Sequence, residues 1–219
     1  MQEHVVVIYP HPDDESFGAS GTITSFREKG IPVTYLCGTL GEMGRNMGNP
    51  TFATRESLPE IRKQELIKAC DVLDMELKML GYRDKTLEFE SREEVAKHLY
   101  QYLEEIEPTL VITHYPGYAV HPDHDAFGAA AIQAVGMMAK EKRPTVWAQA
   151  ISRNYIDELG EPDILNDIGD VFATKLDAIM AHKSQADGML AKIQEETQED
   201  IETAAKTWLG IESFYTWQF

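Results

Sequence analysis

Two short clusters of histidine and aspartate hold the side chains best suited to chemistry in this chain. The first is H-P-D-D-E at residues 11–15, and the second is H-P-D-H at residues 121–124. Each begins with His-Pro and offers side chains at positions i and i+3, which lie one helical turn apart and can point at a common centre. Both come shortly after apolar runs typical of buried strands, so we expect both at the carboxyl-end edge of one sheet.

Imidazole and carboxylate groups without thiolate favour a catalytic divalent metal ion such as Zn²⁺ or Fe²⁺. A structural zinc site would instead close its coordination with four protein ligands, typically including cysteine. We therefore expect a site with three protein ligands, His11, Asp14 and His124, and an open position for water.

The remaining polar residues of the two clusters, Asp13, His121 and Asp123, are then available for proton transfer. A carboxylate near a metal-bound water can take its proton, and a histidine on the far side can give one to a leaving group. Asp123 can orient His121 and favour its imidazolium form. Any single aspartate here could instead be a helix N-cap, but capping alone does not account for two such clusters at equivalent positions.

Short apolar runs alternate with longer amphipathic segments along the chain. Strands are predicted at 5–9, 33–37, 77–80, 110–113 and 146–151, and helices at 16–29, 58–73, 93–106 and 126–140. This alternation predicts an α/β fold with a mostly parallel sheet, helices on both faces and a single domain over residues 1–219. Past Asp170 the pattern is helical to about Lys206. The aromatic tail from Trp208 to Phe219 is expected to close the core, with a homo-oligomer interface as the alternative.

Residues 39–57 form a long glycine-containing segment that interrupts the regular alternation. A loop of this length in a compact domain is usually functional or disordered. It follows the carboxyl end of a predicted parallel strand, where ligands bind in open α/β sheets. We expect it to be a wall or lid of the site, with Glu42 and Arg55 as substrate-binding residues.

The chain has 219 residues and a formal net charge of −17. This charge argues against binding to nucleic acid or to anionic membrane surfaces, although a few local arginines could still hold a small anionic substrate. The two cysteines, Cys37 and Cys70, lie in apolar or helical patterns and indicate buried thiols rather than disulfides. No signal peptide is recognisable, and the most apolar helical stretch, 126–139, is shorter than the roughly 20 residues that a membrane span needs. We expect a cytoplasmic protein.

On these motifs the sequence resembles the LmbE-like or PIG-L-type family of zinc-dependent N-acetylglucosaminyl deacetylases. Further family motifs follow in order over most of the chain: G-A-S-G-T at 18–22, T-x-G-E-x-G at 39–44, R-x-x-E-L at 62–66 and H-x-S-Q at 182–185. The two histidine clusters together are highly specific for the family, whereas the other motifs are weak individually. The resemblance implies a Rossmann-like fold with the metal at the carboxyl edge of the sheet and with the three ligands given above.

The resemblance also implies roles for residues around the metal. Asp13 would be the general base, and His121, paired with Asp123, would stabilise the tetrahedral intermediate or protonate the departing amine. Arg62, at the family's R-x-x-E position, would contact an anionic aglycone or a sugar substituent. Some relatives use a tyrosine two residues before the His-Pro-Asp-His histidine, but that position is Ala119 here.

Within the family, the chain most resembles the bacillithiol-pathway deacetylases of Gram-positive bacteria, whose substrate is N-acetylglucosaminyl malate. The expected activity is metal-dependent removal of acetyl from an N-acetylglucosamine unit on a small anionic aglycone. One alternative is amide cleavage in another N-acyl sugar or a thiol–sugar conjugate. Another is a non-catalytic metal- or sugar-binding module, which would not need Asp13 or the His121–Asp123 pair. A dinucleotide-binding enzyme is disfavoured because no G-x-G-x-x-G follows the first strand.

Overall fold

The computed structural model describes residues 3–197 and 200–219, and within them the strands form one sheet. In chain order they are β1 (Val5–Tyr9), β2 (Val33–Cys37), β3 (Glu76–Met79), β4 (Leu110–His114), β5 (Thr145–Gln149), β6 (Ile164–Asp167) and β7 (Ile211–Thr216). Their spatial order is β3-β2-β1-β4-β5-β7-β6. The first five strands pair in parallel, while β7 runs antiparallel to both β5 and β6. The predicted α/β fold with a mostly parallel sheet is confirmed.

The helices largely match the amphipathic segments of the sequence. They are α1 (Asp14–Gly18), α2 (Ser20–Glu28), α3 (Leu58–Val72), α4 (Arg92–Ile106), α5 (Pro122–Met137), α6 (Tyr155–Leu159), α7 (Phe172–Ala181), α8 (Lys183–Thr197) and α9 (Ile201–Leu209). The helix predicted at 16–29 is two helices, since the backbone leaves helical geometry at Ala19, where φ is −142°. The helical pattern past Asp170 contains α7, α8 and α9, and residues 198–199 within it lie outside the described residues. No helix in the described ranges is both long and apolar enough to cross a membrane.

Both faces of the sheet are covered, and β1 shows why its sequence is continuously apolar. Val6 and Ile8 pack into a cluster with Phe127 of α5, whereas Val7 packs on the opposite side with Ile23 of α2. A strand buried on both faces needs an uninterrupted apolar run rather than alternation. The expected helices on both faces are therefore confirmed.

The carboxyl-terminal tail adds a strand that the sequence patterns did not predict. β7 pairs with the end of β5 and with β6, and its Phe214 is fully buried. The tail thus closes part of the core, as expected, while Trp208 at the end of α9 stays 67% exposed. β6 and β7 alternate between exposed and covered side chains and are rich in polar residues, so neither presents the apolar run that marks the parallel strands.

The strand order of the sheet changes direction between the neighbouring strands β1 and β4. From β1 it adds β2 and β3 on one side, and from β4 it adds β5 on the other. In open α/β sheets the crevice outside the carboxyl ends of the strands at such a switch point is the usual ligand site. Both histidine clusters lie in the segments that leave these two strands.

Candidate metal centre and active site

The turn after β1 places the side chains of His11 and Asp14 side by side. The main-chain N–H of His11 donates to Oδ2 of Asp14 at 2.8 Å, and the hydroxyl of Tyr35 donates to the His11 carbonyl at 2.7 Å. Between the two residues, Asp13 has φ 94° and ψ −28°, a left-handed conformation that is uncommon outside glycine. This bend lets α1 begin at once, so that both side chains face the carboxyl edge of the sheet.

The second cluster forms the amino terminus of α5. His121 is the N-cap, where its Nδ1 accepts the main-chain N–H of Asp123 at 3.2 Å, and Pro122 occupies the first turn. Proline is suited to this position because its missing N–H would have no intrahelical partner there. His124 follows in the first turn, and its Nδ1 donates to the Ala119 carbonyl at 2.9 Å.

The structure brings together the three predicted metal ligands. Nδ1 of His11 lies 3.1 Å from Nε2 of His124 and 3.4 Å from Oδ2 of Asp14, and Nε2 of His124 lies 3.2 Å from Oδ1 of Asp14. In a tetrahedral zinc site each ligand atom lies about 2.1 Å from the ion, so two ligand atoms are about 3.4 Å from each other. The spacing of these donor atoms therefore fits one divalent ion.

The partners of the two imidazoles support the same conclusion. Nε2 of His11 lies 3.2 Å from Oδ1 of Asp84 and 3.3 Å from Oδ2 of Asp123, so the neutral ring carries its proton on Nε2 and its lone pair on Nδ1. In His124 the bond to the Ala119 carbonyl places the lone pair on Nε2. In the neutral rings these two lone pairs, 3.1 Å apart, repel each other unless a metal ion or a proton lies between them. Carboxylate or carbonyl partners on the far nitrogens are also the usual outer shell of metal-binding histidines.

Asp14 supplies the negative charge of the cluster. Burial raises the pKa of its carboxyl, but the opposing effects of His124, His11 and His114 hold that pKa well below its usual range. The carboxylate form, which a metal ion needs, is therefore favoured.

His114, at the end of β4, is a residue of this cluster that the sequence patterns missed. Its ring stacks on His124 with centroids 4.1 Å apart and an interplanar angle of 17°, and burial lowers its pKa to about 4. Its Nε2 is 3.8 Å from Oδ2 of Asp14, and among the described residues neither ring nitrogen has a hydrogen-bond partner. Asp14, His114 and His124 could by proximity hold a metal. However, the in-plane lone pairs of two stacked rings cannot converge on one ion, which favours His11 as the partner of His124.

Asp13 lies next to this cluster and faces a buried arginine. Its Oδ2 is 3.4 Å from Nη2 of Arg62, and burial raises the pKa of its carboxyl to about 6 although Arg62 opposes that shift. Arg62 also donates from Nη1 to the Gly41 carbonyl at 2.8 Å and from Nη2 to the Pro12 carbonyl at 2.5 Å. Its side chain is only 5% exposed. These contacts argue against the expectation that Arg62 binds the anionic part of a substrate, because both terminal nitrogens of its guanidinium bond main-chain carbonyls of the protein.

The expected pairing of the Asp123 carboxylate with His121 also needs correction. Besides His11, the Asp123 carboxylate accepts main-chain N–H groups of Lys85 at 2.7 Å and Leu87 at 3.2 Å. Its link to His121 is the main-chain N–H described above. Burial, together with the neighbouring His11 and His124, lowers the pKa of His121 although the charges of Asp123 and Asp84 oppose that shift, so the imidazolium form is not favoured. Because Nδ1 of His121 accepts a hydrogen bond, the neutral ring carries its proton on Nε2.

The loops after β2 and β3 complete the surroundings of the centre. Oε1 of Glu42 accepts the main-chain N–H of Asp84 at 3.0 Å, and Oδ2 of Asp84 accepts that of Met43 at 2.7 Å. Asp84, like His114, is a buried residue that no sequence motif indicated. Arg55 is exposed and makes no hydrogen bond or ion pair within the described part of the chain. The hydroxyl of Tyr118 donates to Oε2 of Glu158 at 2.9 Å.

The fold and this centre are those of a known class of proteins. Residues 6–135 match the family model of PIG-L, described as GlcNAc-PI de-N-acetylase. The chain belongs to this family.

Several curated relatives match most or all of the chain. The "Probable N-acetyl-alpha-D-glucosaminyl L-malate deacetylase 2" of Bacillus subtilis is 50% identical over 220 residues, which cover 100% of this chain and 99% of the relative. The protein of the same name from Bacillus cereus is 48% identical over 223 residues, with both chains fully covered. The diacetylchitobiose deacetylase of Thermococcus kodakarensis is 30% identical, covering 83% of this chain and 69% of the relative.

Solved structures show the same fold. The N,N'-diacetylchitobiose deacetylase of Pyrococcus horikoshii superposes with a TM-score of 0.75 at 27% identity, covering 98% of this chain and 84% of that one. GalB, the 4-carboxy-2-hydroxymuconate hydratase of Pseudomonas putida, superposes with a TM-score of 0.73 at 18% identity, covering 99% and 97%. The likeness to GalB concerns the fold alone.

Proposed function

We propose that this protein is a metal-dependent deacetylase that removes the acetyl group of N-acetylglucosaminyl malate, the substrate of bacillithiol biosynthesis. The full-length similarity to relatives named for this activity supports the substrate. The observation that carries the reaction class is the cluster of His11, Asp14 and His124. Beside its converging donor atoms lies the carboxyl group of Asp13, which is not one of the three ligands.

The proposed metal is Zn²⁺, with Fe²⁺ as another suitable ion for these ligands. When bound, it supplies the Lewis-acid chemistry that polarises an amide carbonyl and acidifies a water molecule. His11 and His124 provide neutral nitrogen ligands, and Asp14 provides a single negative charge. The outer carboxylates of Asp84 and Asp123 hold the His11 ring in the orientation that this requires.

Asp13 takes the proton of the attacking water in this proposal. Its carboxylate is adjacent to the ligand Asp14, and Arg62 keeps it in place through the ion pair and through the Pro12 carbonyl. A base that is held within reach of the water contributes both orientation and proton transfer. The same carboxyl group can later return the proton to the departing amine.

His121 acts on the other side of the amide. With Nδ1 accepting the Asp123 N–H, its Nε2–H is a fixed donor. It can stabilise the negative charge that develops on the carbonyl oxygen, as oxyanion-hole donors do. His121 is half-buried at the amino terminus of α5, so a substrate can reach it.

The malate carboxylates need cations other than Arg62. Arg55, in the glycine-containing loop, is exposed and is our proposed contact. Arginine can hold a carboxylate through two parallel hydrogen bonds. Glu42 is proposed to contribute on the same side by positioning Asp84 and the loop that follows β3.

Acetate release from a panel of N-acyl sugars tests this proposal. We expect turnover of N-acetylglucosaminyl malate to exceed that of free N-acetylglucosamine and of N,N'-diacetylchitobiose in kcat/KM. Preference for a different N-acyl sugar or for a thiol–sugar conjugate would overturn the substrate assignment. Absence of acetate release from every member of the panel, with metal bound, would indicate a binding module instead.

A further inference from the structure

Glu15, the last residue of the first histidine cluster, is a fully buried carboxylate directly behind Asp13. Its Oε2 accepts the main-chain N–H of Asp13 at 3.0 Å. Its Oε1 accepts the Ser16 hydroxyl at 2.8 Å and lies 2.7 Å from Nε2 of His182. Both Glu15 and His182 have side chains that are 0% exposed. Glu15 therefore connects a distant histidine to the backbone of the turn that carries the proposed general base.

His182 reaches Glu15 from the junction of α7 and α8, where the chain carries the H-x-S-Q motif. Its Nδ1 is buried without a hydrogen-bond partner among the described residues, so its polar contact is the one with Glu15. Two residues later, the N–H and hydroxyl of Ser184 donate to Glu65 of α3 at 2.8 Å and 2.6 Å. This anchoring fixes the junction, and with it the His182 ring, against the helix that carries Arg62.

We propose that His182 is a positioning residue for deacetylation, which acts by holding Glu15 so that Glu15 fixes the main chain of Asp13. This inference rests on the proposed function, in which Asp13 is the general base. His182 touches neither the metal ligands nor the substrate in this arrangement.

The backbone of Asp13 is the reason why such support is needed. A left-handed φ of 94° is unfavourable for a residue with a side chain, and it persists only where the surroundings determine it. Glu15 holds the N–H of Asp13 while Arg62 holds its carboxylate at 3.4 Å from the opposite side. Loss of one support lets the carboxylate move, and a misplacement of about 1 Å costs about 10²-fold in rate.

A simpler role for the Glu15–His182 pair would be structural, and the chain contains a matched control for it. Lys175 and Glu212 form a buried ion pair at 2.6 Å, with side chains 1% and 2% exposed. Glu212 likewise accepts main-chain N–H groups, at 2.9 Å from Gly21 and 2.7 Å from Thr22. Those groups belong to α2 and not to the turn with the reacting carboxylate. Lys175 also donates to the Phe17 carbonyl of α1 at 2.7 Å. The pair is therefore broken from the Glu212 side, which leaves that bond and the Asp13 turn in place.

The test compares His182→Leu with Glu212→Gln in kcat, KM, bound metal and thermal stability. We expect His182→Leu to lower kcat about 10- to 100-fold per metal-loaded molecule, with KM and metal content nearly unchanged. Glu212→Gln should lose thermal stability but keep its kcat. His182→Gln, whose amide N–H can replace Nε2–H toward Glu15, should recover most of the lost kcat. If His182→Leu does not fold, His182→Asn, which is too short to reach Glu15, takes its place in the comparison.

A second measurement shows whether His182 affects kcat through Asp13 or independently of it. In the Asp13→Asn background, His182→Leu should lower kcat by less than about 3-fold, because residues that act as a unit are not additive. A further loss of about 10-fold or more in that background would overturn the positioning role, as would an unchanged kcat in His182→Leu alone. If Asp13→Asn itself turns over normally, the proposed function fails instead.

Discussion

Nδ1 of His11 and Nε2 of His124 lie 3.1 Å apart, although 113 positions separate the two residues in the sequence. Each ring donates its other N–H to a buried oxygen partner, so the two facing nitrogens present lone pairs to each other. A metal ion or a shared proton between the two nitrogens makes that contact favourable, and the donor set around it suits a metal ion. The parallel pairing of β1 with β4 produces it, because it brings the two following turns to one point of the sheet edge.

Replacing His124 by alanine removes one of the three proposed ligands. We expect His124→Ala to lose bound metal and activity together, with its fold retained. Elemental analysis and acetate release measured on the same sample check this. His4→Ala is the matched control, since His4 precedes β1 at the opposite end of the sheet and bonds Thr34. Full metal occupancy in His124→Ala would remove this residue from the ligand set.

Asp13→Asn preserves the shape of the side chain but cannot accept the proton. We expect kcat to fall about 10²- to 10⁴-fold, the usual range for general acid–base catalysis, with metal content unchanged. Steady-state kinetics on metal-loaded protein measure this. If the variant loses its metal instead, the roles of Asp13 and Asp14 have been exchanged in our assignment.

Arg62→Ala should impair all substrates alike, because Arg62 supports the Asp13 turn rather than the aglycone. We expect kcat/KM for N-acetylglucosaminyl malate and for free N-acetylglucosamine to fall by similar factors. The loss of its bonds to buried carbonyls should also lower the free energy of unfolding by about 1–3 kcal/mol.

The control for Arg62 is Arg55→Ala. Its side chain is exposed, so stability and the activity on free N-acetylglucosamine should be preserved, whereas activity on the malate conjugate should fall. A loss confined to the malate conjugate in Arg62→Ala would show that Arg62 does bind the carboxylates.

Asp84→Asn tests the partner of the His11 ring. The amide cannot supply the negative charge that now faces Nε2–H of His11 at 3.2 Å. We expect metal affinity to fall about 10- to 100-fold, which is the usual effect of removing an outer-shell partner. Competition with a chelator of known affinity measures it. Asp74→Asn, in an exposed ion pair with Arg27, should bind metal as the unaltered protein does.

The sequence predicts most of the parallel sheet and the centre of the site for the same reason. Buried parallel strands have clear apolar runs, as in Val5–Tyr9. A short motif directly after such a run is therefore expected at the carboxyl edge of the sheet. His11, Asp14 and His124 lie in local spacings that already suggest a common target. The strand Ile211–Thr216 has no comparable signal, because exposed and buried side chains are interspersed along it and one of its two buried positions is Glu212.

The residues that the sequence did not reveal act through long-range contacts. Asp84 approaches the cluster from the loop after β3 and His114 from the end of β4, and neither lies in a motif with spacing of its own. The direction in which a side chain points cannot be predicted from the sequence either. The R-x-x-E pattern identified Arg62 as important, but only the structure shows that its guanidinium points into the Asp13 turn. The same holds for Asp123, whose carboxylate faces His11 rather than His121.

The most direct test of this account is acetate release from N-acetylglucosaminyl malate as a function of bound metal. The protein is first stripped with a chelator and then titrated with Zn²⁺. We predict no release from the stripped protein, and activity that rises in proportion to bound Zn²⁺ and saturates at one ion per chain. Turnover that persists in the stripped protein, or that stays absent with one Zn²⁺ bound per chain, would contradict the central claim.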